Sequence, residues 1–246
     1  IKTNNIFAVD KDPSAISILK AKLIKDYYGN PHYDLSTMLE KIYCIDLLDP
    51  FEIINNKVPH KINTFDIILS NPPYLNLKVN KKSSNHLNFF NERYKDEVKT
   101  LVNKIRDTKT YKLAKFGMLN LYKLSLERIL YILKPNGTAG IICPSTLFGD
   151  KSSYALRREI LLNNKLNTVI LHKEKDKLFT KVTQATTIFT FSKGKSCDSF
   201  LYSDGINKYD IYIRDIVNNF PNTLEIPLIP KIGWKILKKI RKFKKL

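Results

Sequence analysis

A chain of 246 residues is long enough for one sizeable core with a small appendage and too short for two full domains. No apolar run approaches the roughly 20 residues that a membrane-spanning helix needs, and Cys44, Cys143 and Cys197 lie too far apart for a disulfide framework or a cysteine zinc site, so a reducing cytoplasmic setting is expected. Lys and Arg number 42 against 23 Asp and Glu, a net charge of +19 that suits a polyanionic partner, although the excess of Lys over Arg and the abundance of Asn and Ile also fit AT-rich coding.

Ile6 to Val9 is a short apolar run ending in Asp10. Lys11-Asp12-Pro13 then leads into Ile16, Leu19 and Leu23 at helical spacing. The pattern predicts a strand feeding a helix, with Asp12 as N-cap and Pro13 at the first helical position, which leaves Asp10 free at the strand end. Ile42 to Ile45 forms a second strand pattern stopping at Asp46, and Phe65 to Leu69 a third stopping at Ser70-Asn71-Pro72-Pro73-Tyr74. Ligands of open parallel sheets sit beyond the carboxyl ends of the strands, so Asp10, Asp46 and Asn71 are expected to converge on one crevice.

Residues 75–116 read as a polar insertion with a helix near Glu92 to Ile105. Leu119 to Leu133 has strong helical periodicity, closed by Lys134-Pro135-Asn136-Gly137, and Thr138 to Cys143 reads as a strand. Strands follow at Asn167 to Leu171, Thr186 to Ser192, near Phe200, and at Tyr209 to Ile213. This alternation predicts an α/β, doubly wound fold. Lys231 to Leu246 carries eight basic residues and no acid, with Ile236, Leu237 and Ile240 at helical spacing, as either a DNA-facing helix or a solvated one. His32, His60, His86 and His172 lack metal-ligand spacing, and no metal is expected.

Asn71-Pro72-Pro73-Tyr74 is the most informative string. The lone pair of an amide or aryl amine is delocalised, so a catalyst gains by drawing that nitrogen towards tetrahedral geometry with two acceptors aimed at its N–H bonds. The Asn71 side-chain oxygen and the Pro72 carbonyl are suited to this, and the two prolines stiffen the turn. Tyr74 offers a flat face for stacking on a planar substrate. A base within a duplex reaches such a pocket only when flipped out of the helix.

Phe65 through Tyr74 closely resembles the catalytic motif of amino-methyltransferases. The neighbouring segments resemble adenine-N6 DNA methyltransferases of the gamma arrangement, in the pattern of large fused restriction-modification enzymes. Ala8 to Pro13 is similar to the second cofactor motif, and Cys44 to Leu48 to the next. The resemblance implies a class I methyltransferase sheet and S-adenosyl-L-methionine as cofactor. It implies Asp10 on the ribose hydroxyls with Lys11 beside it, Asp46 on the adenine amine, and Leu47 against the ring. Gly117 to Tyr122 and Leu133 to Ser145 are similar to the helix and strand after the catalytic loop. Leu178 to Lys181 is similar to a late motif whose aromatic residue, here Phe179, packs on the flipped base opposite Tyr74.

The resemblance covers roughly residues 6 to 193. It divides the chain into a catalytic domain over 1–193 and an extension over 194–246 leading towards a DNA recognition domain. The family's Gly-rich turn after its first strand finds no counterpart; it is expected just upstream of Ile1, and this chain by itself is expected to bind the cofactor poorly. Double-stranded DNA with a flipped adenine is the expected partner. The alternatives are methylation of the glutamine amide of release factors, methylation of guanine amines in ribosomal RNA, and an inactive nucleic-acid-binding remnant.

Overall fold

The computed structural model describes residues 6–48, 65–77, 88–107, 109–176 and 184–240, with the side chains of 88–95 excepted. The chain divides into two compact units, Ile1–His60 and Lys61–Leu246, each described by itself.

In the first unit, strand β1 (Ala8–Asp10) pairs in parallel with β2 (Ile42–Cys44), with Ala8 opposite Ile42 and Asp10 opposite Cys44. Helices α1 (Pro13–Tyr27) and α2 (Leu35–Glu40) connect them. As the sequence predicts, Asp12 caps α1 by accepting from the Ser14 amide at 2.8 Å, and Pro13 opens the helix, where a missing N–H costs nothing. Asp34 caps α2 in the same way, accepting from the Thr37 amide at 3.1 Å and from the Ser36 hydroxyl at 2.8 Å. The buried apolar side chains here are Ile16, Met38 and Ile42, while Ile18 is 70% exposed.

The second unit is built on a six-stranded sheet in the order β3-β4-β6-β5-β7-β8. Its strands are β3 (Phe65–Ser70), β4 (Leu133–Pro144), β5 (Lys165–His172), β6 (Thr186–Ser192), β7 (Ser199–Ser203) and β8 (Lys208–Tyr212). Its α-helices are α3 (Asn88–Asp107), α4 (Leu121–Ile132), α5 (Tyr154–Arg158), α6 (Ile213–Asn219) and α7 (Lys231–Ile240). The α/β class expected from the sequence is the one observed, but the sheet is mixed. β3 pairs with β4 and β5 with β7 in parallel, whereas β6 runs antiparallel between β4 and β5, and β8 antiparallel to β7.

Three boundaries differ from the sequence reading. Helix α4 starts at Leu121, because Asn120 is its N-cap and accepts from the Tyr122 amide at 3.1 Å. Lys134-Pro135-Asn136-Gly137 does not separate helix from strand but lies within β4 as a bulge. The register slips there from Phe65↔Leu133 to Ile67↔Thr138, with Asn136 at φ 63°. A Cβ on Gly137 would approach the Lys134 carbonyl to 2.9 Å and the Asp66 carbonyl to 3.0 Å, so the bulge needs glycine at that close approach. Ile213 begins α6 and does not extend β8.

α4 is buried along nearly its whole length, and two of its charged residues find specific partners, while the Arg128 guanidinium lies over the Tyr131 ring with its centroid 5.1 Å away. The Lys123 ammonium donates to Asp150 at 3.0 Å and to the Ser152 hydroxyl at 2.6 Å. The Glu127 carboxylate accepts from three consecutive backbone amides, Lys112 at 2.5 Å, Leu113 at 3.0 Å and Ala114 at 2.7 Å. Phe189 packs edge-on to Phe148, with centroids 5.4 Å apart, and stacks with Phe191. The Arg157 guanidinium, 1% exposed, donates to the carbonyls of Leu147, Asp150, Thr223 and Leu224, tying the segment before α7 to the residues after β4.

Candidate active site

The site residues proposed from the sequence fall in both units. In the first, the parallel pairing sends both strands the same way, so Asp10, Lys11, Asp46 and Leu47 share the carboxyl end of the β1-β2 pair. Each acid closes a tight turn on itself. Asp10 Oδ1 accepts from the Asp12 amide at 2.9 Å, and Asp46 Oδ1 from the Leu48 amide at 2.9 Å. Asp10 and Lys11 are exposed; Asp46 and Leu47 are half-buried. The turn fixes the Asp10 carboxylate while its Oδ2 accepts nothing from the described residues, an arrangement suited to receiving hydroxyl donors.

In the second unit, Asn71-Pro72-Pro73-Tyr74 leaves the carboxyl end of β3, as the sequence predicts. Asn71 is exposed and its carboxamide makes no hydrogen bond to any described residue. Pro72 is buried and Pro73 exposed. The alternation follows from the turn: Pro72 seats it against the body of the unit while Asn71 projects from it.

Tyr74 is half-buried, and its hydroxyl is buried without a hydrogen-bond partner among the described residues. Burial, assisted by the nearby Cys143 thiol, pushes the phenol up to about 12. Burial likewise pushes the Cys143 thiol up to about 12, with the Thr187 hydroxyl beside it at 3.7 Å. Tyr122, whose hydroxyl lies 3.4 Å from that of Thr146, is raised to about 12 by the same cause. All three groups are neutral at physiological pH. The turn therefore carries no charge of its own, and what it offers a substrate is oriented oxygen acceptors.

Sequence reasoning passed over two features of this neighbourhood. One is Cys143, which lies near the Tyr74 phenol and beside the Thr187 hydroxyl, a juxtaposition for which no spacing signal exists. The other is the pairing of 75–77 with 119–121, where the Leu77 amide donates to the Leu119 carbonyl at 2.9 Å and the Leu121 amide to the Leu75 carbonyl at 3.0 Å. An Asn just before an apolar helical run is a cap signal that could have marked Asn120, which the periodicity from Leu119 places inside the helix. Phe179 lies outside the described residues.

Residues 4–179, more than half of the chain, match the family model described as Eco57I restriction-modification methylase. The methylase subunit of the type I restriction enzyme MpnII from Mycoplasma pneumoniae is 26% identical over 211 residues, covering 78% of this chain and 35% of that protein. The type II methyltransferase M.AccI from Acinetobacter calcoaceticus is 23% identical over 181 residues, covering 70% of this chain and 30% of that protein. The chain thus spans about a third of the length of these curated relatives. Among solved structures, a chain from a type I restriction-modification system superposes with a TM-score of 0.55 at 14% identity, over 96% of this chain and 51% of that one, a likeness of fold. With the family model matched from before β1 to beyond β5, the chain belongs to the Eco57I restriction-modification methylase family.

Proposed function

We propose that this chain carries the methyl-transfer residues of a site-specific DNA methyltransferase that modifies the exocyclic N6 amine of a flipped adenine, within a restriction-modification or phage-defence enzyme. The observation that carries the reading is Asn71: a carboxamide held exposed at a strand end, on a turn stiffened by two prolines, with no hydrogen bond to any described residue.

In this reading the Asn71 side-chain oxygen and the Pro72 carbonyl accept the two amine hydrogens. The nitrogen lone pair is thereby localised, and positive charge developing on nitrogen is met by fixed oxygen dipoles. When bound, S-adenosyl-L-methionine would supply an electrophilic methyl group on a sulfonium and depart as the neutral thioether, and the amine proton would pass to solvent from the nitrogen that the two acceptors hold. Most of the acceleration is positioning, since no group of the turn is charged at neutral pH. Asp10 holds the cofactor's ribose hydroxyls through the carboxylate oxygen that its own turn leaves open, Asp46 its adenine amine, and Lys11 and Leu47 flank it. Tyr74 and Phe179 stack on the extruded base, and residues 194–246 lead towards the DNA recognition part.

The test is to incubate the full natural protein with tritiated cofactor and DNA, RNA or release-factor protein, then to digest and chromatograph the labelled product. The expected result is label in N6-methyladenine from double-stranded DNA. Label confined to guanine of RNA or to protein glutamine would overturn the reading in favour of those substrates.

A further inference from the structure

The turn at Asn71 has little means of fixing its own position. Pro72 and Pro73 have no N–H to donate, so the geometry of the turn is set by what holds its two ends. At the entry, β3 is paired among the described residues with β4 alone, and Ile67 and Leu69 are 61% and 83% exposed. The exit is held from 44 residues away: Asn76 pairs antiparallel with Asn120, and the Asn120 Nδ2 donates to Asn76 Oδ1 at 2.6 Å. Backbone bonds from Leu77 to Leu119 and from Leu121 to Leu75 flank this contact on both sides.

Asn120 uses both ends of one carboxamide. Its Oδ1 caps α4 through the Tyr122 amide at 3.1 Å, while its Nδ2 grips the loop. It is buried, between Leu119 at 1% and Leu121 at 7% exposure, and the helix it caps is packed along nearly its whole length. A small displacement at the turn exit would thus be resisted by a helix buried along nearly its whole length.

We propose that Asn120 is a positioning residue: through Asn76 it fastens the exit of the Asn71–Tyr74 turn to the N-terminus of α4, so that the turn's acceptors are fixed where the amine must be held. The proposal rests on the reading of that turn as the transfer site. Misplacement by about 1 Å at a reacting centre costs up to roughly a hundredfold in rate, which sets the scale of the effect.

The test uses four variants of the full natural protein, with kcat, KM and melting temperature measured for each. Asn76→Ala removes the grip and leaves the cap. Asn120→Ser keeps a capping oxygen but is too short to reach Asn76. Both are expected to lose roughly ten- to a hundredfold in kcat, with KM for DNA and cofactor within about twofold, as befits an interaction that orients the turn without binding substrate. Asn120→Asp keeps the cap, and the Asn76 amide can turn over to donate to the new carboxylate, so this variant is expected to restore kcat to within about threefold of the natural protein. Asn71→Ala is the control for the underlying reading. If Asn71→Ala abolishes transfer while Asn76→Ala and Asn120→Ser turn over normally, or if Asn120→Asp is as impaired as Asn120→Ser, the clasp is refuted alone. If Asn71→Ala itself turns over normally, the reading of the turn falls with it.

Discussion

The two sets of polar strand ends are built by different means. Asp10 and Asp46 satisfy themselves with amides two residues away, in a unit whose buried core is Ile16, Met38 and Ile42. The Asn71 turn is held instead by partners distant in sequence: Asn120 through Asn76, and the buried surroundings of Tyr74 near Cys143. Carboxylates for binding hydroxyls tolerate local construction, because a short turn suffices to aim an oxygen. Acceptors that must meet a reacting nitrogen within a fraction of an ångström call for rigid support, and here that support comes from α4.

The comparison predicts where stability and chemistry separate. The largest effect is expected from Glu127→Gln, which replaces one acceptor oxygen by a donor facing the amides of 112–114. Losing charge-assisted bonds and burying an unmatched donor should cost about 2–3 kcal/mol in denaturant unfolding; a change below about 0.5 kcal/mol would mean that α4 does not depend on this contact. Tyr74→Phe is expected to act in the opposite sense. It deletes a hydroxyl buried without a partner among the described residues, so it should leave transfer intact and be neutral or stabilising by up to about 1 kcal/mol. A loss of stability would reveal a partner for that hydroxyl.

The smallest effect belongs to the first unit. Hydrogen bonds from Thr37 and Ser36 lower the Asp34 carboxyl from 3.8 to about 2. A depressed carboxylate stabilises the fold fully above its unfolded pKa, and that contribution is lost as pH falls from about 4 towards 2. A carboxyl NMR titration of the natural protein and of a Thr37→Val, Ser36→Ala variant should show the midpoint returning towards 3.8 in the variant; an unmoved midpoint would contradict the assignment.

The same contrast governs what the sequence discloses. Asp12-Pro13 as a helix start, Asp10 and Asp46 at strand ends and Asn71-Pro72-Pro73-Tyr74 after β3 are all readable, because each is a local pattern whose cause lies within a few residues. The bulge at Lys134 to Gly137 was not, since its shape depends on the Asp66 backbone opposite, reached only after β3 and β4 pair. Nor was the role of Glu127, a charged residue within an apolar helix whose partners are main-chain amides without sequence signature. Asn120 falls inside the helix that the periodicity from Leu119 predicts, and its role as a clasp has no local sign, because Asn76 reaches it only through folding.

The most direct test of the central claim, that Asn71 is the acceptor acting on the amine, is single-turnover methyl transfer to duplex DNA by the full natural protein and its Asn71→Ala variant, with DNA affinity measured alongside. The predicted result is a loss of about a hundredfold or more in the transfer rate, the scale of removing a preorganised partner of the transition state, with DNA affinity kept within about threefold. An unchanged transfer rate in the variant would contradict the account.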